Sequence, residues 1–498
     1  MAESKKAKPK PLKDVVELDG SGILDEMLAT GIKSRDEAGR TYGQELIKNL
    51  VEQLLDPGMV TAKGVTRTVN ARIAAIDALI SRQLNEIMHH EEFQKLEASW
   101  RGLNQLVMTS ETGETLKVRV LNMSKKDMLR DFQAASEFTE SALWKKIYEN
   151  EFGQYGGDPY GALVGDYEFG KGPQDIELLE HMATVAAAAH APFISAASSH
   201  MYGLDSFTDM PNPRDLAKVF DKSNPENTKW LSFRDSEDAR FVCLVMPHVL
   251  GRLPYGKETV PVEAFDFEED VDGQDHGRYL WTNAAYSFAG RLTDSFAKHH
   301  WCVAIRGPEG GGLVEGLPIH AFKTREGDVG AKCPTEVLIP DTRENELSEL
   351  GFIPLIHCKN TDYAAFFGSN SVQRPKKYKE KAHTANADLS RKIPYLMATS
   401  RIAHYLKAIC RDKVGSFASR VEVQNFLNQW INNYVLDQDE ATQEQKAKYP
   451  LREARIEVTE DKAAPGSYKA VAYLKPHFQL EKLDVSLRLV ADLPAAAK

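Results

Sequence analysis

The stretch Phe241-Val242-Cys243-Leu244-Val245-Met246 decides the fold class, because it is apolar at every position. A strand that alternates apolar and polar residues is covered on one face, whereas a continuously apolar strand is covered on both. Three further runs are similar: Trp301–Ile305, Glu336–Ile339 and Phe352–Ile356. Strands of this kind lie in sheets that carry helices on both faces. The sequence therefore predicts an α/β core, within a mixed α+β chain, up to about residue 370.

Upstream of these runs, apolar residues recur at the three- and four-residue steps of an amphipathic helix. They are Val69, Ile73, Ile76, Ile80, Leu84 and Ile87, followed by Phe93, Leu96, Trp100 and Leu103. Leu116, Val118 and Val120 then alternate with two cations, which predicts a half-buried strand. We therefore expect the α/β core domain to occupy residues 61–373.

A basic stretch, Arg374 to His383, follows this core and predicts a linker over residues 374–385. A nucleic-acid-binding patch is the more specific interpretation of this stretch. A linker is favoured, because cations in a linker are usually only solvated. Beyond it we expect a C-terminal α+β domain, residues 386–498. Its predicted elements are helices near 386–411 and 418–436 and alternating strands at 454–459, 468–474 and 483–489. Leu483, Val485, Leu487 and Leu489 share one face of the last strand.

The first 60 residues form a predicted N-terminal arm. Residues 1–13 carry five lysines against one acid, and two prolines make a compact start improbable. A short amphipathic helix is predicted over residues 22–33, with Ile23, Leu24, Met27 and Leu28 on one face. A helix of about a dozen residues is marginal alone in water, so we expect it to dock on a partner.

Composition excludes several classes of protein. With 498 residues, the chain is expected to have two to four domains at roughly 150 residues each. Lys and Arg number 62 and Asp and Glu 72, so the net charge is −10, which disfavours general binding to nucleic acid. No apolar run reaches the roughly 20 residues of a membrane-spanning helix, and no secretory signal opens the chain. We therefore expect a cytoplasmic protein without membrane insertion.

The most tempting chemical motif is Gly165 to Lys171, which fits G-x-x-x-x-G-K between an apolar run and a helical pattern. In a phosphate-binding loop, a Ser or Thr hydroxyl holds magnesium at the position of Gly172, which has no hydroxyl. Asp166 and Glu168 would in addition place two negative charges beside a polyphosphate. A structural turn is therefore favoured. The alternative function is a cytoplasmic nucleotide-binding enzyme that uses residues 165–171.

The remaining motifs are weaker. The glycine-rich stretch 306–316 fits a dinucleotide fingerprint poorly, and an ordered loop at a contact surface is favoured. The acidic run 265–273 would place Tyr279 where a calcium loop needs a bidentate glutamate. Five cysteines without a C-x-x-C pair, and histidines that are adjacent instead of four residues apart, argue against zinc. A Cys/His catalytic pair, for instance Cys358 with a histidine, remains open, but no histidine is singled out. We expect no catalytic, cofactor-binding or metal-binding residues.

Blocks rich in aromatic residues, glycine and proline are spread along the whole chain, and their combination resembles the large sheath subunit of the bacterial type VI secretion system (the TssC/VipB family). The blocks are Leu96-Glu-Ala-Ser-Trp100-Arg-Gly-Leu103, Gly165-Asp-Tyr-Glu-Phe-Gly170, Ala189-His-Ala-Pro-Phe-Ile194, Trp230-Leu-Ser-Phe-Arg234, Arg252-Leu-Pro-Tyr-Gly256, Trp281-Thr-Asn-Ala-Ala-Tyr286, Ile305-Arg-Gly-Pro-Glu-Gly-Gly-Gly312, Glu346-Leu-Ser-Glu-Leu-Gly-Phe352 and Arg401-Ile-Ala-His-Tyr-Leu406. The resemblance covers roughly residues 20–490.

The resemblance implies a multi-domain, phage-tail-sheath-like structural protein without catalysis of its own. Family members pair with a small sheath subunit, and the heterodimers polymerise helically around an inner tube, in contact with neighbouring protomers and a baseplate. An AAA+ ATPase disassembles the contracted sheath and engages a helix near the amino terminus, which the segment with Ile23, Leu24, Met27 and Leu28 resembles. The region from residue 386 resembles the family's C-terminal domain, which is related to phage tail and baseplate proteins.

The last predicted strand leaves two arrangements open. Nothing follows it to cover its apolar face, and an uncovered strand is an aggregation liability. Addition to a sheet of a neighbouring protomer would satisfy its backbone groups. Alternatively, it pairs within its own chain with the stretches at 454–459 and 468–474.

Overall fold

This computed structural model describes residues 65–211, 215–324, 327–414, 419–438, 440–460 and 468–479, together with eight residues between 39 and 49. The predicted amphipathic segment 22–33 and the predicted last strand 483–489 both lie outside these residues. The chain divides into two compact units, Met1–Ile80 and Ser81–Lys498. Apart from the first part of α1, the structural features described below belong to the second unit.

Helices and strands are interspersed along the described chain. The helices are α1 Val65–Met88, α2 Glu91–Thr109, α3 Lys125–Ala134, α4 Ala142–Trp144 (continued by a π-helix, Lys145–Gly153), α5 Pro173–Ala189, α6 Leu216–Val219, α7 Thr228–Asp235, α8 Ala284–His299, α9 Asp341–Glu349, α10 Lys381–Ser390, α11 Ile393–Lys413, α12 Arg420–Asn432 and α13 Gln443–Lys448. The strands are β1 Leu163–Phe169, β2 Phe193–Ala197, β3 Val242–Met246, β4 Val249–Leu250, β5 Trp281–Thr282, β6 Leu313–Val314, β7 Ala321–Lys323, β8 Val329–Ala331, β9 Phe352–His357, β10 Ala364–Phe366, β11 Leu451–Glu460 and β12 Tyr468–Pro476.

A six-stranded mixed sheet forms the centre of the core, in the order β1-β2-β3-β9-β10-β6. The first four strands are parallel, and β10 and β6 continue the sheet antiparallel. The apolar run Phe241–Met246 contains β3, and all five residues of this strand are buried. Helices α5 and α8 both pack on this sheet, as a strand that is apolar throughout requires. The predicted α/β core in a mixed α+β chain is confirmed.

Three predicted strands are absent from the described residues. Trp301–Ile305 and Glu336–Ile339 are irregular segments, although Ile305, Val337 and Ile339 are buried in the main core. These runs are apolar because they cross between packed elements, not because they join a ladder. Residues 116–120 are also irregular, and the cations within this alternation pair with Asp158 and Glu151. The expected burial is confirmed only in part, because Leu338 is 51% and Val120 67% exposed. None of the three segments belongs to a described strand.

Helix α11 connects the main core with a second, smaller core. At its amino-terminal end, Ile393, Leu396 and Met397 belong to the main core, and Ala398 and Ile402 belong to the second. The second core also contains residues of α12, β11 and the irregular run: Trp301, Val303, Leu427, Ile431, Leu451, Ile456 and Val458. Trp301 therefore packs with the C-terminal elements, which explains the apolar run to which it belongs.

The predicted linker at 374–385 is anchored to the core at its start. Arg374 forms a two-pronged ion pair with Asp235, and its backbone N–H donates to the Arg234 carbonyl at 2.8 Å. The Arg234 side chain is buried and donates in turn to the Val372 carbonyl at 2.8 Å. From Lys381 the chain is helical, so the basic stretch runs directly into α10. The domain boundary itself stays a prediction.

Candidate functional site

The G-x-x-x-x-G-K motif does not form a phosphate-binding loop. Gly165 lies inside β1, where the Phe193 ring occupies the space that a Cβ would need, at 2.7 Å. The Lys171 ammonium donates to the Val219 carbonyl at 3.1 Å and lies over the Phe220 ring, and burial lowers its pKa. The Gly170 N–H, which would face a phosphate, donates instead to Asp175 at 2.7 Å. The Gly170 N–H and the Lys171 ammonium therefore both have partners within the chain, and residues 165–169 belong to β1, so the structure favours a structural role for the motif over a phosphate-binding loop.

The glycine-rich stretch is an ordered loop held by its own chain. The Gly307 N–H donates to the Phe366 carbonyl at 2.7 Å, and the Gly312 N–H donates to the Gly307 carbonyl at 2.8 Å. Gly311 has φ +86°, and a Cβ there would lie 2.2 Å from the Ala304 carbonyl oxygen. The glycines therefore allow the loop to fold closely on itself. The loop lines a cleft of about 440 Å³ beside α8 and residues 477–479, with side chains of both charge signs.

The other candidate motifs have structural partners. Asp272 accepts the backbone N–H groups of Gln274 and Asp275 in a tight turn. His300 ends α8 in the left-handed conformation. Among the described residues, no three His, Cys, Asp or Glu side chains converge as a metal site would require. None of the described helices is long and apolar enough to cross a membrane.

Two ionic clusters link distant segments instead: the cluster around Arg252 is buried, and the cluster around His248 is half-buried. Arg252 binds Glu97 of α2 at 2.7 Å and Glu269 at 2.5 Å, and Glu269 also accepts the Tyr255 N–H. His248 follows β3 and lies between two carboxylates, Glu336 at 2.5 Å and Glu168 at 2.8 Å.

Burial alone would lower the pKa of His248, but its hydrogen bonds to Glu168 and Glu336 outweigh burial and raise it to about 10. The pKa of Glu336 is held at about 2, since hydrogen bonds from His248 and His276 exceed the opposing effect of burial. His248 is therefore a cation at neutral pH. This charge state suits a structural contact better than proton transfer near pH 7.

A row of exposed apolar side chains follows α2. Three of them lie within eight residues: Phe93 is 39% exposed, Leu96 56% and Trp100 65%. Val107 and Met108 continue the exposure toward the end of the helix. The sequence predicted that these residues share one face of a helix. It did not predict whether this face packs on the core or lies exposed, because periodicity identifies an apolar face and not what covers it. Large exposed apolar patches on a soluble chain indicate a contact surface.

The hairpin β11–β12 presents one closed and one open edge. The two strands pair antiparallel from Leu451–Pro476 to Glu460–Tyr468. Along the outer edge of β11, Asn428 donates to the Ile456 carbonyl at 2.7 Å and accepts the Ile456 N–H at 2.9 Å. Gln424 accepts the Val458 N–H at 3.1 Å, and Arg420 donates to the Val458 carbonyl. Side chains of α12 therefore take the place of a neighbouring strand. No described strand pairs with the outer edge of β12.

The sequence prediction identified the two strands of this hairpin but missed the closure of β11. The polar residues Arg420, Gln424 and Asn428 recur every four residues, so they lie on one face of α12. This spacing was the available signal. The predicted partner-binding residues, namely Ile23, Leu24, Met27, Leu28, Leu483, Val485, Leu487 and Leu489, lie outside the described residues, so both sets stay predictions.

Comparison with known proteins identifies the family. Residues 70–373 match the VipB family model, described as EvpB/VC_A0108, tail sheath N-terminal domain, and residues 382–493 match its gpW/gp25-like tail sheath domain. The chain belongs to the VipB tail sheath family. It is 48% identical over 475 residues to the type VI secretion system sheath protein TssC1 of Pseudomonas aeruginosa, across 94% of this chain and 95% of that protein. The predicted large sheath subunit of a type VI secretion system is thereby confirmed.

Two solved structures show a weaker similarity to this VipB-family chain. One is the baseplate of the anti-feeding prophage, with a TM-score of 0.33 and 11% identity over 64% of this chain and 66% of that one. The other is the contracted helical sheath of the same particle, with a TM-score of 0.30 and 13% identity over 62% and 66%.

Proposed function

We propose that this sheath protein pairs with a small sheath subunit and polymerises with its own neighbours into a contractile tube around an inner tube, in contact with a baseplate. Contraction would deliver effectors, and an AAA+ ATPase would recycle the contracted sheath. The protein would act mechanically, without catalysis. The open edge of β12 in a member of a tail sheath family is the observation that carries the polymerisation step.

The hairpin supports addition of a strand from outside the chain. Side chains of α12 occupy the outer edge of β11, so a further strand can pair only with β12. Tyr468, Val471 and Tyr473 of β12 are 40%, 46% and 56% exposed, although they are large and apolar. Exposed edge strands of this kind pair readily with other chains. We propose that the strand with Leu483, Val485, Leu487 and Leu489 from a neighbouring protomer occupies this edge.

The path of the chain after β12 supports exchange between protomers over pairing within one chain. The His477 N–H donates to the Pro450 carbonyl at 3.2 Å, and the Gln479 N–H donates to the Tyr395 hydroxyl at 3.0 Å. The Gln479 side chain also donates to the Val303 carbonyl. The chain is therefore directed toward α11 and the 301–305 segment instead of turning back along β12. Three residues separate Gln479 from Leu483. For the predicted last strand to pair with β12 of its own chain, the chain would have to turn back within these residues from the anchored Gln479.

Proline at position 470 tests the proposed edge. The opposing pair Ala470–Val458 is expected to be a non-hydrogen-bonded pair, because Val458 directs its backbone groups to α12. The Ala470 N–H therefore faces the open edge, and Ala470→Pro removes a donor there without breaking the hairpin ladder. After co-expression with the small subunit, electron microscopy should show no long tubes, while the soluble heterodimer persists.

The control is Ala470→Val, which keeps the N–H and should form tubes of normal length. Removal of all residues after Glu481 should reproduce the effect of Ala470→Pro. Full-length tubes from the proline variant would show that the β12 edge is not the acceptor. Insoluble subunits from the truncated chain, beside normal tubes from the proline variant, would favour pairing of the last strand within its own chain.

A further inference from the structure

The outer edge of β11 is closed at both ends of the strand. At its start, the Leu436 N–H donates to the Leu451 carbonyl at 2.9 Å, and the Leu451 N–H donates to the Tyr434 carbonyl at 3.3 Å. Further along, side chains of α12 bind the N–H and carbonyl groups of Ile456 and Val458. The backbone groups of these three β11 residues therefore have partners on the side away from β12.

The spacing of side chains along α12 matches the spacing of residues along β11. Four residues of an α-helix rise about 6 Å, and two residues of an antiparallel strand rise about 6.8 Å. Gln424 and Asn428 are four residues apart on the helix and bind Val458 and Ile456, which are two residues apart on the strand. The Asn428 amide both donates and accepts at Ile456, as the backbone of a paired strand residue would. The helix therefore reproduces the hydrogen-bond pattern of a neighbouring strand.

Apolar packing holds α12 in this position. Leu427 and Ile431 are fully buried and belong to the second core, together with Ile456 and Val458 of β11. A strand that paired with β11 would have to displace both these contacts and the hydrogen bonds of Gln424. In the described part of the chain, no strand pairs with the outer edge of β12. The two edges of one hairpin therefore differ in their access to a further strand.

We propose that α12 is an edge cover, in which Gln424 and Asn428 determine which edge of the hairpin accepts a strand. The inference rests on the proposed exchange of the last strand between protomers. With β11 covered, each chain accepts one strand at β12 and gives one strand, residues 483–489. Such contacts run head to tail from one protomer to the next. If both edges were open, one chain would accept two strands, and the assembly would branch.

Gln424→Ala combined with Asn428→Ala tests the edge cover in a chain that also carries Ala470→Pro, co-expressed with the small subunit. Ala470→Pro on its own blocks the β12 edge and should give only heterodimers. Loss of the two amides leaves backbone groups of β11 unpaired, which weakens the docking of α12 and should open this edge to the last strand. In the analytical ultracentrifuge, the triple variant should therefore sediment as irregular oligomers several times the mass of the heterodimer. Removal of all residues after Glu481 should return it to the heterodimer, since the donated strand is gone.

The matched control is Asn425→Ala with Gln429→Ala, again combined with Ala470→Pro. These two residues are of the same types, lie on the same helix and are exposed, so the control should remain a heterodimer. Heterodimers from the triple variant would overturn the edge cover while the proposed β12 acceptor edge stands. Oligomers that persist after the truncation would also overturn it, because they would not depend on the last strand. Full-length tubes from Ala470→Pro on its own would overturn the acceptor edge, and the edge cover with it.

Discussion

Lys171 and His248 both belong to residue types that often carry chemistry, and their partners give each a structural role. The Lys171 ammonium is held by the Val219 carbonyl and the Phe220 ring. His248 bridges Glu168 and Glu336, which come from segments far apart in sequence. Neither set of partners could be identified from local sequence, because ion pairs and cation–π contacts depend on side chains that only the fold brings together. The sequence already argued against a phosphate-binding loop, because Gly172 replaces a Ser or Thr and two acids lie within the motif. The contacts of Lys171 are a second, independent argument against it.

At the same scale, Leu24→Asp combined with Leu28→Asp should weaken binding of the proposed recycling ATPase while sheaths still assemble. Each buried leucine contributes about 1.5–3 kcal/mol, and burying an unpaired carboxylate costs more. The loss of affinity should be at least roughly a hundredfold. A pull-down with the ATPase measures it, and Ala29→Asp, on the opposite face of the helix predicted from the sequence, is the control. Unchanged binding of the double variant would place the recognition site elsewhere.

Helix α2 shows how an element can be predicted correctly while its orientation is not. Phe93, Leu96 and Trp100 were expected from their spacing to mark a helical face, and the helix is present. The buried residues of α2 are Gly102 and Leu106 instead, on the side that packs against α8. The row of apolar residues is therefore available for a partner. We propose that the small sheath subunit covers it, because the proposed heterodimer requires an apolar contact that the isolated chain leaves exposed.

Trp100→Ser tests this contact. Because Trp100 is 65% exposed, its removal should leave the melting temperature of the isolated chain almost unchanged. A central aromatic anchor contributes at least about 2 kcal/mol at an interface, so affinity for the small subunit should fall roughly thirtyfold. Titration of the small subunit measures this, with Tyr155→Ser as a control that removes another exposed aromatic ring. Equal affinities for wild type and Trp100→Ser would exclude Trp100 from the pairing surface.

At the scale of the whole second unit, α11 joins the main core to the second core. Ile393, Leu396 and Met397 of this helix pack in the main core and Ala398 and Ile402 in the second, so a continuous helix connects the C-terminal elements to the main core. His404 of α11 lies 2.8 Å from the Ala189 carbonyl oxygen at the end of α5. Lys407 lies over the Phe152 ring, and Arg411 donates to the carbonyls at the end of the π-helix. The contact between helix and core thus concentrates cations beside a buried imidazole.

This arrangement predicts a loss of stability in acid that depends on His404. Burial, with a smaller contribution from nearby cations, lowers the pKa of His404 to about 4, against roughly 6.5 in an unfolded chain. The neutral ring therefore stabilises the fold fully above pH 6.5, and this contribution is lost as the pH falls toward 4. The difference corresponds to on the order of 3 kcal/mol.

Thermal melts of the wild type and of His404→Gln between pH 7 and 4 measure this contribution. The variant should be less stable at pH 7 but should lose less stability on acidification. The comparison between the two proteins separates His404 from the carboxylates, which titrate in both. Parallel pH profiles would show that His404 does not carry the acid sensitivity.

The sequence by itself determined the family, the α/β class, helices α1 and α2, strands β3 and β9 and the hairpin β11–β12. These depend on local periodicity and on short distinctive blocks, which one chain segment carries alone. Tertiary structure alone decided that Trp301–Ile305 is a connection between packed elements and that the Lys171 ammonium binds the Val219 carbonyl. It also decided that the apolar row on α2 is exposed and that side chains of α12 hydrogen-bond the outer edge of β11. The physical reason is that periodicity shows which side chains share a face, whereas the partner of that face is fixed by packing and hydrogen bonds between segments distant in sequence.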